Sequence, residues 1–299
     1  MKILVTGSEG FLGKILTNKL LSQGHEIIPY DISLGKDILD FKQLYEDMSK
    51  CDVCIHLAAI ADLYIAEANP ELTLEINVKA TEKLIQFANE LDVRILFSST
   101  VCAYGNNGED ISTESSQLAP TEIYAKSKVE AEKLFYDDLE NHSILRLATF
   151  YGPNMRESLA VSVFINSILN GKQIRIHGNG LQTRCYTHVE DICSGIITVL
   201  NSKANGIFNI STEQETSVIE LVNLISKITG NEIKTTYVND RFGQIVRSKI
   251  ASEKLRKLGW NPKYNLELGL LECILFASRN NNVKDKIIDT NSIEPSAIV

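Results

Sequence analysis

The sequence predicts an α/β fold, a doubly wound parallel sheet followed by a smaller C-terminal lobe, and three observations carry that prediction. Short apolar runs alternate with longer runs of helical period from Lys2 to about Phe97; a glycine triplet falls between the first strand and the first helix; after Phe150 the alternation loosens. The strands read as KILVT, HEIIPYD, CDVCIHLA and VRILFSS, and between them FLGKILTNKLLSQG and VKATEKLIQFANEL place apolar residues at helical spacing. Gly24 closes the first helix as a C-terminal glycine does.

Beyond the YGPN turn the pattern predicts a helix over AVSVFINSILNG, a strand over KQIRIHG and a glycine loop, GNG. THVEDICSGIITVLNS reads as a further helix that returns to the first lobe. The expected division is residues 1–150 with a returning segment near 185–212, a substrate-binding lobe over 151–278, and a tail over 279–299 without a steady period.

With 299 residues, 44% of them hydrophobic, the chain can bury a large core. A net charge of -8 with no basic run argues against nucleic acid as a partner. The apolar run in MKILVTGSEG is too short for a signal peptide or a membrane span, so a cytoplasmic location is expected. The six cysteines are scattered, as in a reduced compartment. Cys51 and Cys54 have C-x-x-C spacing but sit in an apolar strand with no second Cys/His pair at zinc spacing, so no metal site is expected.

TGSEGFLG supplies Gly7, Gly10 and Gly13 at a strand-to-helix turn, the context in which such a triplet implies a Rossmann-type dinucleotide site. The first glycine permits the tight turn, the second lets the backbone approach a pyrophosphate, and the third allows close helix packing. Asp31 ends the second strand, where a carboxylate meets ribose hydroxyls and repels a 2′-phosphate. NAD is therefore favoured over NADP. Downstream, FSSTVCAYG follows the fourth strand and IYAKSK places Tyr124 and Lys128 one turn apart on a helix face. A lysine ammonium so placed can favour tyrosinate and turn a phenol into a general base.

With these motifs in order, the chain resembles the extended short-chain dehydrogenases/reductases of the NAD-dependent epimerase/dehydratase family to about residue 265. TGSEGFLG, HLAA, EINVKAT, FSSTVCAYG, YAKSK, LRLATFYGPN, GNGLQTRCYTHVEDI and LGWNP carry the resemblance. It implies a Thr100–Tyr124–Lys128 catalytic set, with Thr100 as the hydroxyl partner of Tyr124. It implies cofactor contacts from Phe11, Leu12, Asp37, Ile38, Leu57, Ala58, Ala59 and Asn77, and a diphosphate grip by Arg184 and Arg247. Thr149 and Asn154 fall at substrate-facing positions, and His188 reads as structural. A homodimer paired through the helix of VKATEKLIQFANEL and the Tyr124–Lys128 segment is also implied.

Dehydratases of this kind carry adjacent Asp and Glu after the catalytic threonine, where this chain has Val101 and Cys102. Decarboxylases tend to have Glu at the second position. The pattern therefore points to an epimerase of 4-epimerase type acting on a UDP- or dTDP-sugar through a transient 4-keto sugar. The alternatives are a 4-ketoreductase or dehydratase, and a non-enzymatic NAD-sensing scaffold. Thr149 replaces an asparagine usual in 4-epimerases, and Ile250 an aspartate common after the second arginine. Cys102 reads as a compact apolar filler behind the strand end, with a pocket-facing thiol as the alternative.

Overall fold

Each apolar run of the first half becomes a strand because its alternate residues have two different layers to enter. The computed structural model describes residues 1–280 apart from 109, 139, 140 and 242, so most of the expected tail lies outside the described residues. The strands are β1 (Lys2–Thr6), β2 (Glu26–Tyr30), β3 (Val53–His56), β4 (Arg94–Thr100), β5 (Ser143–Leu147), β6 (Phe150–Tyr151), β7 (Ile174–His177), β8 (Thr183–Cys185), β9 (Thr187–His188), β10 (Gly206–Ile210), β11 (Glu215–Ser217) and β12 (Thr235–Val238). The helices are α1 (Phe11–Ser22), α2 (Phe41–Met48), α3 (Leu63–Ala68), α4 (Pro70–Leu74), α5 (Ala80–Leu91), α6 (Ile123–Lys133), α7 (Ala160–Leu169), α8 (Val189–Ser202), α9 (Val218–Thr229), α10 (Glu253–Arg256) and α11 (Leu266–Asn280).

The main sheet has the order β10-β5-β4-β3-β1-β2, with every pairing parallel. On one face Ile3, Val5, Val53, Ile55, Leu96, Leu145 and Phe208 meet α1 and α8. On the other, Leu4, Cys54, Ile95, Phe97 and Ile144 meet α2, α5 and α6. A sheet buried on both faces explains why its strands read as nearly continuous apolar runs. Pro29 is tolerated because β2 is an edge strand. Cys51 and Cys54 belong to the second face, where burial raises both thiols above the ordinary range. The smaller lobe packs α7, α9 and α11 with Tyr151, Ile174 and Ile176.

The strands β5 and β10 were not legible as alternating apolar runs because Arg146 and Asn209 interrupt them. The register sets these two side by side, with Ser99 next to Arg146 on β4. All three are buried, and burial demands partners. Arg146 forms a two-pronged ion pair with Glu132 of α6, Nη2 to Oε2 at 2.7 Å and Nε to Oε1 at 3.1 Å. Ser99 Oγ donates to the same carboxylate. Arg146 Nη1 donates to the Tyr104 hydroxyl at 3.0 Å, which donates to Asn209 Oδ1 at 2.7 Å. Glu132 is fully buried, and Arg146 is 2% exposed. The pair holds the Arg146 guanidinium well above its usual range, against the penalty of burial.

A second chain of polar contacts crosses the strand ends. Thr6 Oγ1 accepts from Ala58 N at 3.2 Å and lies 2.7 Å from His56 Nδ1; His56 Nε2 lies 3.0 Å from Thr81 Oγ1, which donates to Asn77 O at 2.9 Å. One direction satisfies every group: Thr6 donates to Nδ1, and Nε2–H donates to Thr81. This assigns a neutral Nε2–H imidazole, and burial lowers the His56 pKa to about 3.

Two predictions follow from these networks. Glu132→Ala strands the buried Arg146 charge and is expected to cost about 3–5 kcal/mol of unfolding free energy; a loss under about 1 kcal/mol in urea unfolding would show that the pair does not hold the fold. The second concerns acid. His56 binds its proton in the unfolded chain near pH 6.5 but not in the folded chain until about pH 3. Its contribution to stability is thus present above the unfolded pKa and is lost as the pH falls below it. The urea midpoint should drop between pH 7 and pH 5, and His56→Gln should lessen the drop; an equal drop in both proteins would contradict the assignment.

Candidate active site

In a doubly wound sheet ligands bind beyond the carboxyl ends of the strands, at the point where the strand order reverses. Here that point lies between β1 and β3. Gly7 follows β1, Asp31 follows β2, Leu57 to Ala59 follow β3 and Thr100 ends β4, so these residues gather along one sheet edge.

The glycine loop is built by close approach. Gly7 has φ +70°, and a Cβ there would stand 2.8 Å from Ala58 N. A Cβ on Gly13 would fall 2.1 Å from Gly7 O, so α1 could not sit against the loop with any other residue. Gly10 is the N-cap of α1 and provides no side-chain cap, which leaves the first-turn amides of Phe11 and Leu12 facing outward as anion donors. The buried Ser8 hydroxyl has no partner among the described residues. An uncapped helix start, a cradle that a Cβ would fill and an orphaned hydroxyl fit a dinucleotide pyrophosphate. Asp31 accepts from Glu9 N at 3.0 Å through one oxygen, and from Ser33 N and Oγ at 3.0 and 2.9 Å through the other. It thereby ties the loop after β2 to the glycine loop.

Other expected cofactor contacts are placed more indirectly. Ile38 buries its side chain in the core and Asp37 Oδ1 accepts from Leu39 N, so contacts there fall to the backbone and the remaining carboxylate oxygen. Asn77, in a π-helical turn over 75–79, accepts from Ile60 N and donates to Ile60 O and Ser127 Oγ. Both its amide hydrogens are committed, and it links the loop after β3 to α6.

Thr100 ends β4, and Tyr124 and Lys128 lie one turn apart on α6. Thr100 Oγ1 accepts from Cys102 N at 3.1 Å and is near enough to the Tyr124 phenol to act on it. Burial is the main influence on that phenol and raises its pKa, the neighbouring Cys102 and Glu122 add to the rise, and Thr100 and Arg156 pull it down. Lys128 is 2% exposed, lies 4.6 Å from the Phe97 ring centre, and has its pKa lowered by burial to about 7, with Glu132 opposing. Cys102 is half-buried beside Thr100, Tyr124, Glu122 and Arg184. Burial raises the pKa of its thiol and keeps it protonated.

The second lobe contributes unevenly. Arg184 is anchored by one nitrogen, donating to Thr183 O at 2.7 Å and Ile245 O at 2.8 Å. Its charge acts on Cys102, Glu122 and Tyr186. Arg247 is paired instead with Glu215, at 2.6 and 3.0 Å. Thr149 pairs through its carbonyl with Thr187 N. Asn154, at φ +63°, borders a cleft of about 360 Å³ between α7 and α11, and no contact of the described residues joins it to Tyr124. His188 is buried, stacks on Tyr264 with ring centres 3.9 Å apart and caps α8, a structural placement. Ile250 packs with Val101 and Cys185. The sequence reading missed Glu122 and Arg241, whose charges meet beside Tyr124. Glu122 had the signal of standing two residues before the tyrosine; Arg241 lies in a loop without a motif.

A family model described as the NAD dependent epimerase/dehydratase family matches residues 3–211. A putative UDP-glucose 4-epimerase of Methanocaldococcus jannaschii is 31% identical, over 93% of this chain and 99% of its own. A dTDP-glucose 4,6-dehydratase from Streptomyces venezuelae with NAD bound superposes with a TM-score of 0.88 at 26% identity, over 95% of this chain and 98% of that one. A UDP-glucuronic acid 4-epimerase from Bacillus cereus, in complex with UDP-glucuronic acid and NAD, gives 0.87 at 25% identity, over 94% and 100%. Taken with the glycine cradle and the Thr100–Tyr124–Lys128 group, these matches make the chain an NAD-using, nucleotide-sugar-modifying enzyme that belongs to the NAD-dependent epimerase/dehydratase family.

Proposed function

We propose that the protein is a nucleotide-sugar 4-epimerase acting on a UDP- or dTDP-hexose. What supports this reading is that the two residues after Thr100 bring no carboxyl: Val101 is apolar and buried, and Cys102 is a thiol that burial keeps protonated. Elimination across C5 and C6 uses an acid and a base beyond the tyrosine; reversing a configuration at C4 does not.

In this reading the first-turn amides of α1 hold the cofactor pyrophosphate and Asp31 meets the adenosine ribose, where its charge disfavours a 2′-phosphate. NAD, when bound, would supply the hydride acceptor and donor for C4. Lys128, whose ammonium has no hydrogen-bond partner among the described residues, would help to hold the cofactor ribose. As its phenolate, Tyr124 would accept the proton of the 4-hydroxyl while the C4 hydride leaves. Thr100, with its oxygen already accepting from Cys102 N, keeps its own hydrogen for the same substrate oxygen. After the keto sugar turns, Tyr124 returns the proton on the other face. Arg184, whose second terminal nitrogen has no hydrogen bond among the described residues, grips the diphosphate; Arg247, paired with Glu215, supports β8 and β11. The same reading carries a homodimer paired through α5 and α6 and a cytoplasmic location; no helix of the described residues is long and apolar enough to cross a membrane.

Tyr124→Phe is expected to retain NAD and UDP-glucose binding while interconversion of UDP-glucose and UDP-galactose, or of the dTDP pair, slows by about a hundredfold or more. Turnover should need no added NADH. Unchanged turnover in the variant would overturn the assignment, and stoichiometric consumption of NADH by a 4-keto sugar would identify a ketoreductase instead.

A further inference from the structure

A line of buried polar side chains joins the glycine loop to the helix that carries Tyr124 and Lys128. Thr6, the residue before Gly7, meets His56 Nδ1 at 2.7 Å, and His56 Nε2 meets Thr81 Oγ1 of α5 at 3.0 Å. Thr81 Oγ1 donates to Asn77 O at 2.9 Å, Asn77 Nδ2 to Ser127 Oγ at 2.9 Å, and Ser127 Oγ to Tyr124 O at 2.8 Å. Thr6, His56, Thr81 and Ser127 are fully buried, and Asn77 is 1% exposed. The direction of the line is forced from its far end. A carbonyl only accepts, so Thr81 commits its hydrogen to Asn77 O and has to accept from His56.

The middle of the line governs two segments of the site. Asn77 lies in the π turn over 75–79, at whose end Ala80 N reaches back five residues to Glu75 O; such wide turns recur at functional sites. The Asn77 side chain closes on both backbone groups of Ile60, accepting from its N at 2.8 Å and donating to its O at 3.1 Å, so the turn also fixes the loop after β3. On the other side, the first turn of α6, which holds Tyr124, has no side-chain cap of its own, and its Ile123 amide is held by Glu67 Oε1 of α3 at 2.8 Å. Through Ser127, Asn77 ties that turn to α5.

We propose that Thr81 is a positioning residue for the reaction: its hydroxyl, clamped between His56 and Asn77 O, holds the π turn that sets Asn77 between the loop after β3 and the Tyr124 end of α6. Without the hydroxyl, His56 Nε2–H and Asn77 O each lose a partner in the core, where an unmade hydrogen bond is costly. Relaxing a π turn to the α spacing rotates the residues within it, which draws the Asn77 side chain away from Ile60 and Ser127. The loop and the first turn of α6 then lose their common tie. Thr6 stays held in β1 by its neighbours on both sides, so the glycine cradle is not disturbed. What changes is the placement of the phenol, and a misplacement of about 1 Å costs on the order of a hundredfold in rate.

This inference rests on the epimerase reading, and Thr81→Val, which keeps shape and removes the hydroxyl, tests it by two independent readouts. In UDP-glucose turnover the variant is expected to lose about tenfold or more in kcat, while KM and the calorimetric affinity for NAD change by less than about threefold. Thr81→Ser, which keeps the hydroxyl, should recover most of that loss. In the cofactor-free protein, hydrogen exchange followed by mass spectrometry should show the Ile60 amide and the first turn of α6 exchanging about tenfold faster or more in Thr81→Val, and not in Thr81→Ser. Ser127→Ala, which cuts the line beyond Asn77, should lower kcat in the same way; if Thr81→Val does not fold, this variant decides, and wild-type kcat in it overturns the proposal. Wild-type kcat or unchanged exchange at Ile60 in Thr81→Val overturns it, as does a loss that Thr81→Ser does not recover or an equal loss of NAD affinity. A wild type that interconverts neither the UDP- nor the dTDP-sugar pair removes the epimerase reading, while the exchange readout still decides whether Thr81 holds the turn.

Discussion

The buried ion pair between Arg146 and Glu132 sets the position of everything that faces the cleft. Tyr124, Lys128 and Glu132 follow one another at four-residue spacing, so they form one stripe of α6. Glu132 has to sit over β4 and β5 because Arg146 and Ser99 are there and a buried charge tolerates no other placement. About two turns toward the N-terminus, the same stripe then brings Tyr124 to Thr100. Glu132 also works against the loss of charge on Lys128, which burial otherwise drives. Through Tyr104 and Asn209 the network reaches β10, and Asn209 Nδ2 continues to Ala251 O at 2.9 Å. Chain segments far apart in sequence are thus fixed by one set of polar contacts whose alternative is an uncompensated charge in the core.

The electrostatics of the cleft divide along its length. At the cofactor end the anion site is made of backbone, because glycines bring the chain close and leave the α1 amides uncapped. Around Tyr124, side chains set the field: Arg184 and Arg241 act on the Glu122 carboxyl, and Arg184 on the Cys102 thiol. Burial raises the pKa of the Tyr124 phenol, so its use as a base calls for a nearby positive charge to favour the phenolate.

Much of the fold was legible because its signals are local. Gly7, Gly10 and Gly13 act within one turn, the apolar alternation of β1 to β4 reflects burial on two faces, and Tyr124 and Lys128 lie on one helix. What the residues alone did not disclose is non-local. Arg146 and Asn209 look like breaks in strands until the register places them together. Arg247 and Glu215 are far apart in sequence, and only the fold pairs them. Glu122 and Arg241 belong to different lobes, and only the folded chain brings their charges to the same corner. Cys102, neutral and compact, carries no charge pattern from which its half-exposure beside the phenol could be read.

The central claim is that one hydride leaves and returns to the same carbon without exchange with a soluble pool. The most direct measurement uses UDP-glucose and dTDP-glucose deuterated at C4, incubated with the protein without added NAD or NADH, and follows the label by mass spectrometry and proton NMR. The account predicts a galactose-configured product of either nucleotide that keeps deuterium at C4. Loss of the label from the product, or formation of product only when NADH is added, would contradict it.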